Sequence, residues 1–152
     1  MEIVDYRPEH AHAFRTLNEA WMLKHFTLDA DEREVLADPE GEVIAGGGRI
    51  FMALKDGRAV GCVALFKLPD GGFEIANMTV AESERGSGLG RALLERCFDA
   101  ASAAKAPRLY LEAGSVLAPA LSLYRSMGFK PVRRAPADSD AQFDVVMERR
   151  LP

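Results

Sequence analysis

The stretch Met78-Thr79-Val80-Ala81-Glu82-Ser83-Glu84-Arg85-Gly86-Ser87-Gly88-Leu89-Gly90-Arg91 decides how this chain is read. Before it, Phe73 to Val80 has the composition of a strand. After it, Leu89, Ala92, Leu93, Cys97, Ala101 and Ala104 follow steps of 3, 1, 4, 4 and 3, the stripe of an amphipathic helix. Strand, glycine-punctuated loop and helix start therefore succeed one another. Gly86, Gly88 and Gly90 let the backbone turn sharply, with N–H groups at a helix N-terminus where partial positive charge accumulates. Such a loop can cradle phosphate, and Arg85 and Arg91 beside it supply full charges. The same letters also describe no more than a tight loop with a glycine-rich helix start.

Two other phosphate motifs fail on spacing. A dinucleotide fingerprint needs glycines at i, i+2 and i+5, but the fifth residue after Gly86 is Arg91 and the fifth after Gly88 is Leu93. A P-loop fails because Arg91 stands where Gly-Lys is required. Glu112, ending the next strand, is the one feature of a ribose-binding acid that remains.

Working outward, Pro69-Asp70-Gly71-Gly72 turns into the Phe73 strand, and Asp56-Gly57 joins Ile50–Leu54 to Ala59–Leu68 as a hairpin. Three consecutive antiparallel strands are expected. Ile3–Tyr6 makes a short strand before Arg7-Pro8, and Ala11 to Phe26 an amphipathic helix with a break near His25. A second short helix spans Asp31–Ala37, stopped by Asp38-Pro39, and Gly46-Gly47-Gly48 is a loop. Downstream come a strand at Leu109–Glu112, a helix at Ala118–Met127 with Gly128 as its C-terminal cap, and strands at Lys130–Arg134 and Phe143–Arg149. The expected architecture is α/β: a mixed, mostly antiparallel sheet of about seven strands flanked by about four helices, in a single domain over residues 1–152.

Composition narrows the function classes. The 152 residues are 48% hydrophobic and 28% charged, as in ordinary globular chains, and at this length about 68 to 70% of the unfolded surface is buried. Ala59 to Phe66, the longest apolar run, is too short for a membrane span, and Glu2, Asp5 and Glu9 do not suit a signal or transit peptide. A cytoplasmic protein without a membrane partner is expected. The net charge of −4 gives no global basic field for nucleic acid. Cys62 and Cys97 sit in apolar stretches as small buried hydrophobes, and His10, His12 and His25 lack the spacing of a metal site, so no metal is expected.

Arg85, Gly88 and Gly90 match [Gln/Arg]-x-x-Gly-x-[Gly/Ala], and Ala120-Leu121-Ser122-Leu123-Tyr124-Arg125-Ser126-Met127-Gly128-Phe129 matches A-x-x-L-Y-x-x-x-G-F. Together, and in this order of strands and helices, they resemble the GCN5-related N-acetyltransferase (GNAT) superfamily, strongly from Glu74 to Phe129. The resemblance implies an acetyl-CoA co-substrate and direct transfer of the acetyl group to a primary amine. It implies that the backbone at Met78, Thr79 and Val80 holds the pantetheine arm. Arg85, Gly86, Ser87, Gly88, Leu89, Gly90 and Arg91 would hold the pyrophosphate. Tyr124 would protonate the departing thiolate, and Glu74, or a water in its stead, would act as base. Period two places Glu74, Ala76 and Met78 on one face, beside the acetyl site.

One departure stands out. Many members carry an Asn seven residues before the tyrosine, where this chain has Leu117, so no side-chain bond comes from that position; Ser115 or the backbone near Gly114 is a candidate to compensate, and no single polar residue of this loop is expected to be essential. The acceptor pocket is expected about Trp21, His25, Phe26 and the acidic Asp29, Asp31 and Glu32, which suit a cationic small molecule. A protein or peptide amine, a CoA-binding regulatory module without turnover, and a homodimer remain compatible with these letters.

Overall fold

Side-chain alternation along the central strands sorts the core into two faces. In the computed structural model, which describes residues 1–136, 139 and 141–152, seven strands run in the spatial order β1-β2-β3-β4-β5-β7-β6. They are β1 (Glu2–Asp5), β2 (Arg49–Lys55), β3 (Arg58–Lys67), β4 (Phe73–Val80), β5 (Arg108–Ala113), β6 (Lys130–Arg134) and β7 (Val145–Arg150). Every neighbouring pair is antiparallel except β4 with β5, which is parallel. The mixed, mostly antiparallel sheet expected from the sequence is therefore the one that forms.

Ile50 and Met52 of β2 lie on one face with Cys62 and Ala64 of β3, and Phe51 and Ala53 on the other with Val63 and Leu65. Helices α1 (Ala11–His25) and α2 (Ala30–Ala37) cover the first face through Phe14, Met22 and Leu36. Helices α3 (Leu89–Ala103) and α4 (Ala118–Ser126) cover the second through Leu93, Leu94, Cys97 and Leu121. Each fully buried Phe or Leu contributes about 1.5–3 kcal/mol, so this burial holds both helix layers against the sheet. None of the helices among the described residues is long and apolar enough to cross a membrane.

Local chemistry sets the ends of these elements. Asp56 and Gly57 take φ values of 53° and 77°, the two positive angles of a tight I′ hairpin. Asp29 caps α2 in a reciprocal capping box: its carboxylate accepts from the Glu32 N–H at 2.8 Å, and Glu32 accepts from the Asp29 N–H at 3.1 Å. Gly128 follows α4 at φ 91°, as its cap position requires.

Glu40–Ile44 is a wide helical turn absent from the sequence expectation, with the Ala45 N–H donating to Glu40 O five residues back at 2.8 Å. Gly41 inside the segment hides it from a propensity argument. Its purpose lies in Val43, which is buried, and in Gly48 just beyond. A Cβ at Gly48 would sit 2.2 Å from Leu65 O and 2.7 Å from Val43 O, so the backbone itself occupies that space.

Gly48→Ala is accordingly expected to destabilise the fold by about 1–3 kcal/mol, since both obstacles are backbone atoms with little freedom to yield. Thermal unfolding beside Gly46→Ala, whose Cβ would meet only Val43 O at 3.9 Å, checks this; equal losses would refute the close approach.

Candidate active site

The centre of the sheet comes apart. β4 and β5 pair only at Phe73↔Leu109, Glu74↔Tyr110 and Ile75↔Leu111, whereas β5 continues alongside β7 as far as Ala113↔Val145. Beyond Ile75, β4 stays with β3 alone. The cause is a bulge: Cys62 faces Thr79 and Ala64 faces Ala76, so three steps along β4 match two along β3. Asn77 occupies it at φ 53°, a left-handed conformation that Asn tolerates better than other side chains. The Cys62 thiol donates to Asn77 O at 3.5 Å and accepts from Asn18 Nδ2 at 3.4 Å, and Asn18 is wholly buried in α1. Burial pushes the Cys62 thiol up to about 11, so it stays protonated and available as that donor.

This bulge corrects one expectation. Glu74 and Ala76 do share the α1-facing side, opposite Phe66 and Ala64 of β3. Met78 does not join them: the extra residue reverses the phase, and Met78 packs with Val80 toward α3. The Ala81 N–H donates to Val60 O at 2.7 Å, so alternation turns the Val80 N–H to the opposite edge, the one β5 has left.

A cavity of about 340 Å³ opens at this gap. Its floor is Ile75 to Met78 of β4 and Leu111 to Gly114 at the end of β5. Trp21 and Phe26 from α1 and its end, Phe66 and Phe143 form aromatic walls. Tyr124 enters from α4, its ring edge-on to Phe129 at 6.1 Å. Among the described residues its hydroxyl has no hydrogen-bond partner, and burial pushes the phenol up to about 12, so it holds its proton throughout the physiological range. Glu74 faces the same cavity. Burial first, and the neighbouring Glu112 carboxylate second, push its carboxyl up to about 7. A carboxyl at that value exchanges a proton readily near neutrality, which is what a general base needs.

Beside the gap lies the glycine loop. Gly86 and Gly88 take φ values of 78° and 86°, and a Cβ at either would meet nothing within 4 Å, so both face open space at the N-terminus of α3. Gly90, the third glycine of the spacing, lies inside α3. Ser87 is exposed, its hydroxyl donating back to Glu84 O at 2.5 Å. The flanking cations are engaged elsewhere. The Arg85 guanidinium lies over the Trp21 ring at 5.0 Å, while Arg91 donates to Ser126 Oγ on α4 at 3.0 Å. Lys24, one turn after Trp21, pairs with Glu82 at 3.2 Å, so the end of α1 is tied to this loop twice.

The remaining positions sort themselves. Ser115 bonds Asp144 through both its N–H, at 2.7 Å, and its hydroxyl, so its side chain is committed there rather than to the gap. Leu117 lines the cavity as an apolar wall. Of the residues expected around the acceptor, Trp21, Phe26, Asp29, Asp31 and Glu32 line the cavity and His25 does not; its ring lies tilted against Trp21 at 4.3 Å, with a buried Nε2 that has no partner among the described residues. Sequence reasoning missed Phe66, Phe143 and the placement of Glu112. Only Glu112 gave a signal, as an acid ending a strand. Among the described residues no His, Cys, Asp and Glu cluster could hold a metal.

The profile of the family described as "Acetyltransferase (GNAT) family" matches residues 5–129. This chain belongs to the GNAT family. It is 42% identical over 82 residues to an IAA acetyltransferase of Azospirillum brasilense, covering 53% of this chain and 54% of that protein. It is 36% identical over 115 residues to the streptothricin acetyltransferase of Streptomyces lavendulae, covering 64% and 61% respectively. The match thus spans less than two thirds of either relative's length. The structure of yncA from Salmonella typhimurium with its cofactor acetyl-CoA shares the fold, with a TM-score of 0.79 at 23% identity, covering 100% of this chain and 94% of that one.

The Glu74 environment of this GNAT protein makes a stability prediction. A carboxyl raised from 4.5 to about 7 binds more protons folded than unfolded between those values, so stability falls as pH rises through that window. Glu74→Gln, which carries no charge to desolvate, should raise the melting temperature at pH values above about 7 and lose that advantage toward about 4.5. Melting curves across this range check it; a gain independent of pH would mean that Glu74 titrates normally.

Proposed function

We propose that this GNAT protein transfers the acetyl group of acetyl-CoA directly to a primary amine of a small molecule. The observation that carries the reading is the parted β4–β5 pair, with a cavity on one side holding Glu74 and Tyr124 and an open glycine cradle beside it. Acetyl-CoA fits those residues, and when bound it supplies an activated thioester. The N–H groups of Met78 and Val80, with Thr79 between them, would take up the pantetheine arm. The loop from Arg85 through Gly86, Ser87 and Gly88, with Leu89, Gly90 and Arg91 in the first turn of α3, would take up the pyrophosphate as an anion at a helix N-terminus. This requires Arg85 to leave Trp21. Ser115 acts by shaping the loop before α4, through Asp144.

Glu74 takes a proton from the attacking amine, and Tyr124 gives one to the sulfur as the C–S bond breaks and the N–C bond forms. Both groups are in the protonation states these roles require at neutral pH, Glu74 partly ionised and Tyr124 fully protonated. A backbone N–H at the gap would stabilise charge developing on the thioester oxygen. A small acceptor is favoured because α1, α2 and Phe143 wall the cavity on the acceptor side. The two relatives bear different acceptors in their names, IAA and streptothricin, so the acceptor does not follow from kinship.

Tyr124→Phe keeps the ring that packs on Phe129 and removes only the hydroxyl. Turnover should fall at least about tenfold with the KM for acetyl-CoA little changed, and the high-pH limb of the rate profile should disappear. A folded variant within about twofold of the parent would exclude Tyr124 as the proton donor. In the cradle, Gly88→Val should weaken CoA binding more than Ser87→Ala, because a β-branched side chain resists φ 86° and fills the open space. Calorimetry with CoA decides; the reverse order would place the cradle elsewhere.

A further inference from the structure

Five carboxylates line the cavity: Asp29, Asp31, Glu32, Glu74 and Glu112. Among the described residues no Lys, Arg or His lines it, and none of the ion pairs in the molecule uses any of the five. Ion pairs do form elsewhere, as in Lys55–Glu84 at 2.9 Å and Arg108–Asp70 at 2.8 Å. The five do not all have the same task. Asp29 and Glu32 are occupied in capping α2, and Glu74 faces the reacting centre. Glu112 accepts only from the Tyr110 hydroxyl at 2.9 Å, and Asp31 has no partner among the described residues.

Asp29, Asp31 and Glu112 are exposed, and Glu32 and Glu74 are half-buried. If the amine to be acetylated is delivered neutral or gives its proton to Glu74, and Asp29 and Glu32 stay with the N–H groups of α2, Asp31 and Glu112 remain without a cationic partner among the described residues of this aromatic-walled site. Like charges on one face of a cavity repel one another and attract a cation, and because Asp31 and Glu112 are exposed this attraction weakens with salt. Trp21 and Phe26 add π faces suited to an ammonium and to the methylenes that carry it. An acceptor with an anionic group would meet only repulsion.

Resting on the acetyltransferase reading, we infer that the acceptor is a di- or polycationic amine, one nitrogen acetylated and a second ammonium held by Glu112 and Asp31. These two residues then determine specificity, selecting by charge at a distance from the thioester. Glu74 remains the group that handles the proton of the reacting nitrogen.

The test measures thiol release from acetyl-CoA with α,ω-diaminoalkanes from ethylenediamine to hexamethylenediamine, each beside its matching monoamine and ω-amino carboxylate. For at least one chain length, kcat/KM should favour the diamine over the monoamine by about tenfold or more, with the amino carboxylate below both. In Glu112→Gln/Asp31→Asn the diamine-to-monoamine ratio should fall toward one. Calorimetric binding of the same diamine in the presence of CoA, weakened in the double variant, gives a readout that needs no turnover. Equal kcat/KM for diamine and monoamine at every length, or a ratio that survives the double substitution, overturns charge selection and leaves acetyl transfer standing. Absence of thiol release with every amine, alongside diamine binding that depends on Glu112 and Asp31, overturns acetyl transfer and leaves charge selection standing. Absence of both overturns both.

Discussion

The kink that Asn77 puts into β4 governs the rest of the site. A strand paired on both edges has no N–H groups to offer a ligand, and a parallel pair buried between helix layers would ordinarily close its ladder along its whole length. Here one extra residue re-aims β4 so that its second half answers only to β3. The cost is a left-handed non-glycine residue and an interruption in the ladder. The Asn18–Cys62–Asn77 contacts offset it by giving the bulge carbonyl a fixed partner inside the core. A net hydrogen bond is worth about 1 kcal/mol, and an orphaned buried polar group costs more. The cysteine that composition marks as a plain hydrophobe is therefore a structural donor.

Around that gap, two kinds of chemistry are kept on separate sides. The α3 side offers glycines, helix N–H groups and arginines, all suited to anions. The α1 and α2 side offers carboxylates and aromatic rings, suited to cations. A thioester carrying a phosphorylated tail and an amine carrying positive charge would thus approach from opposite directions and meet where the strands part. Electrostatics alone would keep each from the other's pocket.

Much of the fold was legible because it rests on local rules. Asp56-Gly57, Gly128 and the stripe of α3 each announce a turn, a cap and a buried face without reference to the rest of the chain. The site was legible where a motif carried it, at Arg85 to Gly90 and at Tyr124. What escaped was phase and convergence. Nothing in Ala76-Asn77-Met78 except the tolerance of Asn for positive φ tells that alternation breaks there, so strict period two assigns Met78 to the wrong face. Glu112 and Phe143 meet the α2 acids only after the sheet has formed, across sequence distances that no local pattern spans. The wide turn at Glu40–Ile44 escaped because Gly41 argues against a helix while the burial of Val43, a tertiary effect, argues for one.

Trp21 is the only tryptophan in the chain, and Arg85 lies across its ring at 5.0 Å. The indole stands at the joint between the acceptor wall and the glycine loop, the second tie being Lys24 to Glu82. Intrinsic fluorescence excited at the tryptophan band therefore comes from this joint alone, undiluted by any other indole. The protein carries its own optical probe where the aromatic wall of the cavity meets the glycine loop, and any movement of the guanidinium would register in the emission of a single residue.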